Sequence, residues 1–379
     1  MNISFFLNAH YKRIATGSLL LFMLVLTAGF SSCNDKKDPD DNPGSFDKEL
    51  LLQSLADRLI VPSVNRLEQA TEELEKATAA MRNNPDAERL DSLRAAWKNA
   101  YLANLWCNSF NYGPGEKTIT GTYFENTGLW PVNAVRIEAR IQNGQVDFSA
   151  DFERDTRGFL ALDYLLFENG SVQELLAGNE KRLNYLSALS AHLHNWTQQL
   201  RNGWNGSYRK TFVENDGKDA GSSVSIFYNA YLKAYEGIKN FKLGLPSGKR
   251  VGQSGPEPAL AEAYYSGISV ECLKEHLKVI EYIWYGRAQD GTEGTGFDDW
   301  LKTVSGGDAL IGETKNFFNQ IREKAAALPA GERLSDMVVS QPGPVEDLYN
   351  TCLSGTRFIK SDLSSLIGIA ITYSSGDGD

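Results

Sequence analysis

Apolar residues recur every three or four positions along most of the chain after residue 46, the spacing of one buried helix face. From Asp47 to about Met81 the stripe is Leu52, Leu55, Leu59, Ile60, Val64, Leu67 and Leu74. Pro62 lies inside this run and predicts a kink or a restart, because it lacks an N–H and its ring crowds the preceding turn. Asn84-Pro85-Asp86 predicts the start of a second helix, with Glu88 in its first turn. Its stripe is Leu90, Leu93, Trp97 and Tyr101, and Gly113-Pro114-Gly115 ends it. Trp130-Pro131 opens a short helix through Ile141, and Asp151 to Phe167 forms another. Glu180 to Trp204 repeats Leu186, Leu189, Leu193, Trp196 and Leu200. Further helices are predicted over 220–243, 258–285, 308–328 and 344–371. The one strand candidate is GEKTITGTY, 115–123. Long amphipathic helices joined by polar loops predict an all-α fold of packed helical bundles. A break at Gly170 to Asn179 divides it into an N-terminal bundle, 46–175, and a C-terminal bundle, 176–379. The glycine-rich stretches 244–255 and 290–307 read as loops, where functional residues often sit.

The first 45 residues have a different pattern. Lys12 and Arg13 precede an apolar run, Leu19 to Phe30, with no acid before Cys33. The run is shorter than the roughly 20 apolar residues a spanning helix needs. A basic start, a short apolar stretch and then small residues predict a secretory signal. Phe30-Ser31-Ser32-Cys33 places a cysteine where the apolar run stops, which predicts a lipoprotein: signal peptide 1–32, lipid on Cys33. One acyl chain holds a protein on a membrane only marginally, and a bacterial lipoprotein cysteine usually carries several. Residues 33–45 are charged and rich in proline and glycine, so they predict a flexible acidic linker. Acidic residues this close to the lipid resemble the surface-export signal of Bacteroidetes-type lipoproteins. The expected location is the outer membrane, with the cell surface one reading and a plain solvated spacer the other.

The chain carries a net charge of −10. The signal holds two cations and no acid, so the mature protein is two charges more negative. Such a balance argues against a nucleic-acid partner and against electrostatic docking on anionic lipid. The membrane partner is therefore reached through the lipid. Beyond Cys33 only Cys107, Cys272 and Cys352 remain, enough for one disulfide at most, such as Cys272 with Cys352. His192 and His194 are two apart and diverge on a helix. Cys272 and His276 are four apart on one face, but two ligands do not make a metal site. The chain has no H-E-x-x-H and no G-x-S-x-G. Trp130 and Asn133 begin a helix whose free N–H groups suit an anion; a plain cap with a packed indole is the alternative.

Several segments together resemble the imelysin family of cell-envelope proteins. LADRLIVPSVNRLEQATEEL (55–74) has that family's proline inside a long helix. Phe110-Asn111-Tyr112-Gly113-Pro114 and Leu129-Trp130-Pro131-Val132-Asn133 resemble its aromatic Gly-Pro and Trp-Pro segments. RGFLALDYLLF (157–167) resembles its signature helix, and SDLSSLIGIAITYSSGDGD (361–379) resembles the C-termini of its Bacteroidetes members. The resemblance implies two helical bundles sharing an interface, a peptidase label, and a link to iron or haem uptake. The family motif is G-x-H-x-x-E. Here the matching residues run Gly158 to Asp163, with Leu160 at the histidine position. Leucine neither ligates a metal nor moves a proton, so a zinc-peptidase mechanism loses its nitrogen ligand and zinc is disfavoured. Asp163 keeps a carboxylate in an apolar helix. It either lines a cleft or is buried with a partner, for which Arg157 and Arg136 are the candidates.

The expectation is a non-catalytic envelope lipoprotein that binds a ligand in an inter-bundle cleft lined by Trp130, Asn133, Arg157 and Asp163. No catalytic residue is assigned. Iron or haem is the cofactor or cargo implied by the resemblance: haem ligation needs a tyrosine, a cysteine or one of three histidines, and ferric iron suits carboxylate and the 16 tyrosines. The alternatives are a metallopeptidase-like hydrolase with a degenerate motif, and a module docking on an envelope transporter. Glycan capture is weaker still, because repeat patterns are absent.

Overall fold

The structure is a computed structural model that describes residues 45–116, 122–149, 152–329 and 331–372. The expected signal peptide (1–32), Cys33 and nearly all of the expected linker (33–45) lie outside these residues. Phe46–Asp379 forms one compact unit. Its helices are α1 (Lys48–Leu55), α2 (Val61–Asn83), α3 (Ala87–Cys107), α4 (Tyr123–Thr127), α5 (Ala134–Gln142), α6 (Phe159–Phe167), α7 (Asn169–Leu176) and α8 (Glu180–Asn205). They continue as α9 (Tyr208–Glu214), α10 (Ser223–Gly237), α11 (Ser269–Trp284), α12 (Phe297–Leu301), α13 (Gly307–Ala326), α14 (Leu334–Ser340), α15 (Pro342–Thr356) and α16 (Leu363–Ile367). No strand occurs among the described residues, and 117–121, the middle of the strand candidate, are not among them.

Local chemistry explains the helix starts. Asp47, Asp86, Asn133, Asn179 and Ser222 each accept a backbone N–H of the first turn of their helix, a contribution of about 1 kcal/mol apiece. Pro62 does not break the first long helix. A π-helical turn, Ala56–Ile60, joins α1 to α2, and Pro62 follows at the first turn of α2. The missing N–H thus falls where the hydrogen-bond ladder is already widened.

The longest helices bury aromatic residues: Trp97 and Tyr101 at the predicted stripe positions, and Trp204 and Trp284 besides, are fully buried. Helix α2 packs along both α3 and α8. A second group forms from α10, α11, α13 and α15, and contacts of α3 with α11 join the two. Helix α8 lies after residue 176 in sequence yet packs with the first group. The three cysteines are buried free thiols, so no disulfide joins Cys272 to Cys352. No helix among the described residues is long and apolar enough to cross a membrane.

One segment departs from its predicted form in a way that makes the site. Residues 258–285 read as one helix, but α11 begins only at Ser269. After a short 3-10 turn at Pro258–Leu260 the chain runs irregularly, with Ala263 at φ 50° and Gly267 at φ 76°. The alanines and Glu262 favour helix intrinsically, but propensity is a weak prior that tertiary contacts override.

Candidate pocket at Asp163

Helix α6 starts at Gly158, whose backbone has φ 87° and ψ −174°. A side chain there is excluded twice over. The conformation is one that glycine alone adopts readily, and an added Cβ would lie 2.7 Å from the Thr127 carbonyl oxygen. Gly158→Ala is therefore expected to destabilise the protein by about 2–4 kcal/mol, read as a lower denaturation midpoint. An unchanged midpoint would show that this turn tolerates a side chain.

From that start α6 buries nearly all of its residues, including Leu160 and Asp163. Asp163 is 1% exposed. Its two oxygens accept the backbone N–H groups of Tyr265 and Ser266, each at 3.0 Å. This is why 261–268 is not helical: two of its amides point to a carboxylate on α6. Burial pushes the Asp163 carboxyl up to about 6, while the Ser266 and Tyr265 hydrogen bonds and the Arg333 guanidinium oppose the rise.

Trp130, Pro131, Val132, Leu160, Asp163, Tyr264 and Tyr265 line a cavity of about 40 Å³, closed by Ala259, Ala261 and Ala263. Behind it lies a buried ion pair. Lys242 donates to both oxygens of Glu262 at 2.6 and 2.7 Å, and the Tyr101 hydroxyl donates to Glu262 at 2.6 Å. The Lys242 ammonium also sits 5.9 Å from the centre of the Trp130 ring, within cation–π range. These groups come from α3, from the π-helical turn Ile238–Gly244 and from the irregular segment, so they bind the two helix groups together.

The structure brings Trp130, Leu160 and Asp163 to one pocket. It does not bring Asn133 or Arg157 there. Asn133 is the cap of α5, accepting the Arg136 N–H at 3.1 Å, and its short side chain is spent on that bond. Arg157 is buried on the far side, donating to the Phe148 carbonyl at 2.5 Å. Neither arginine pairs with Asp163: Arg136 reaches the surface and pairs with Asp155 at 3.2 Å. Sequence reasoning missed Tyr101, Lys242, Glu262 and the Tyr264 to Ser266 turn. The available signal was a charge inside apolar surroundings, Lys242 in NFKLGL and Glu262 in ALAEAYY, since such residues are buried only when paired.

The donor set does not fit a metal ion. Leu160 offers no lone pair, and Asp163 supplies the one carboxylate of the lining. No cluster of three or more His, Cys, Asp or Glu side chains placed to hold a metal occurs among the described residues. Cys272 and His276 do not supply one: both are fully enclosed in the core, and burial drives the thiol up and the imidazole down. A cavity of about 40 Å³ is also too small for a haem.

This is an all-α protein whose two helix groups meet at a small carboxylate pocket. The chain belongs to the imelysin family: the family described as Peptidase M75, imelysin, matches residues 60–346. Two solved structures share the fold. One is assigned as an iron-regulated protein A precursor from Parabacteroides distasonis, with a TM-score of 0.70 and 15% identity over 88% of this chain and 97% of that one. The other is an imelysin-like protein from Psychrobacter arcticum, with a TM-score of 0.67 and 15% identity over 86% and 97%. No curated protein sequence matches the chain significantly.

Proposed function

We propose that this chain is a non-catalytic imelysin-family lipoprotein of the outer membrane, tethered through Cys33, that serves iron acquisition by seating a small apolar group of a partner at the Asp163 pocket. The observation that carries this reading is the state of the motif. Leu160 stands where the resemblance places the imidazole, and the remaining carboxylate is buried with each oxygen accepting one amide N–H, from Tyr265 and Ser266, so the pocket lacks a nitrogen base to activate water. What the pocket presents instead is apolar and aromatic surface, the usual lining of a binding site. The link to iron rests on family membership and on the description of the P. distasonis neighbour.

The test is a titration of the purified full-length chain with ferric iron, zinc and haem, followed by metal analysis and tryptophan fluorescence. The expected result is no stoichiometric metal or haem at Asp163, with unchanged binding to envelope extracts in Asp163→Asn and weaker binding when Ala261→Phe fills the pocket. Tight stoichiometric metal binding lost in Asp163→Ala would overturn the reading in favour of a metal site.

A further inference from the structure

A groove of about 410 Å³ opens between α11 and α13, away from the Asp163 pocket. Its floor is apolar: Leu277 and Ile321 are 5% and 4% exposed, with Ala325 beside them. Helical spacing gathers these residues, since Ile321 and Ala325 lie one turn apart on α13, as Leu277 and Glu281 do on α11. Tyr282 and Arg287 complete the wall.

The charge of the wall runs against that of the chain, which is −10. Lys274, Lys278, Arg287 and Arg322 line the groove, and Glu281 is the one acid of the lining. The Glu281 side chain is 9% exposed, and its Oε1 is shared by Arg322 and, at 3.5 Å, by Arg287. One buried carboxylate thus orients two guanidiniums while neutralising the charge of one. Glu293 reaches Arg287 at 2.9 Å from outside the groove. Glu275, also outside the lining, is engaged by the Trp106 indole N–H at 2.6 Å. Neither lysine has an acidic partner among the described residues: the Lys274 ammonium donates to the Leu328 carbonyl at 2.9 Å, and the Lys278 ammonium rests over the Trp106 and Tyr282 rings at 5.5 and 5.1 Å. Both are half-buried, and these contacts hold their charges at the groove instead of leaving them free in solvent.

An apolar floor beneath a few convergent polar groups is the composition of a small-molecule site, and the volume lies in that range. The floor favours a hydrocarbon body, and the cations favour a negative head. We infer that the groove between α11 and α13 is a binding site for a small organic carboxylate with an apolar body. Lys274 and Lys278 take the carboxylate, and Leu277, Ile321 and Ala325 take the body. Arg287 and Arg322, oriented by Glu281, keep the wall positive around the head. The groove shares no residue with the Asp163 pocket, so the inference stands or falls separately from the function proposed above.

Calorimetric titration of the full-length chain with octanoate and phenylpropionate tests it, with octanol and citrate beside them. Octanol has the body without the charge, and citrate has charge without the body. The expected result is saturable one-to-one binding of octanoate, phenylpropionate or both, weakened about tenfold or more in Lys274→Gln/Lys278→Met and unchanged in Asp163→Asn. Methionine keeps an apolar stem on the Trp106 and Tyr282 rings, and glutamine keeps a donor for the Leu328 carbonyl, so the double variant should hold the wild-type denaturation midpoint. Lys278→Met alone, which leaves the Lys274 contact intact, should already weaken binding severalfold. No binding of either carboxylate at millimolar concentration would overturn the inference. So would octanol binding as tightly as octanoate, which would mark an apolar groove only, citrate binding as tightly, which would mark diffuse anion attraction, or carboxylate binding indifferent to the double variant.

Discussion

Replacing Glu262 with glutamine is expected to destabilise the protein by about 3–5 kcal/mol, the usual cost of leaving a buried charge without its partner. The Lys242 and Glu262 side chains are 3% and 2% exposed, so water does not reach the ammonium that the substitution strands. Lys242→Met should cost a similar amount, because it strands the carboxylate and leaves the Tyr101 hydroxyl as its one remaining side-chain donor. The double variant Lys242→Met/Glu262→Gln should be less damaged than the single substitutions add up to, since it leaves neither charge behind. Glutamine keeps an oxygen for the Tyr101 hydroxyl. Urea unfolding of the four proteins checks the cycle. Single variants costing under about 1 kcal/mol, or additive behaviour in the double, would show that the pair does not join the helix groups.

His276→Leu is expected to leave the protein as stable as before at pH 7.5, or more stable by about 1–3 kcal/mol. Both ring nitrogens of His276 are buried without a hydrogen-bond partner, and leucine fills similar space with no polar atom to satisfy. The larger difference should emerge on acidification. Burial, with the Lys242 ammonium second, holds the His276 pKa well below 6.5. The unfolded chain therefore takes up a proton near pH 6.5 that the folded chain refuses. Stability is full above that pH and falls as pH drops through it. His276→Leu should flatten this loss, and a variant as acid-sensitive as wild type would refute the assignment.

Asp163 works in the opposite sense. Its folded carboxyl keeps a proton up to about pH 6, against 3.8 when unfolded. Its contribution is fully present below pH 3.8 and is lost as pH rises through 6, a span of about 3 kcal/mol. Asp163→Asn should therefore steepen the acid-side loss that His276→Leu relieves.

The helical course was legible in the sequence because helix stripes are local. Leu90, Leu93, Trp97 and Tyr101 lie on one face by spacing alone, and all four are buried. The capping residues Asp47, Asp86 and Asn179 act within one turn, so they too can be read from the chain. The family required only the order of short segments. The expected signal and the cysteine at residue 33 fall outside the described residues.

The partners of Asp163 were not legible. Arg157 and Arg136 are near it in sequence, but the groups that satisfy it are backbone amides about a hundred residues away. Backbone amides have no side-chain signature, and the segment bearing them has the composition of a helix. The same holds for Lys242 and Glu262, drawn together with Tyr101 from three separate elements. By itself, then, the sequence determined an all-α imelysin-family body, because periodicity and capping operate within a few residues. Only the tertiary structure decided what the carboxylate binds and which charges are buried, because burial depends on which distant elements meet.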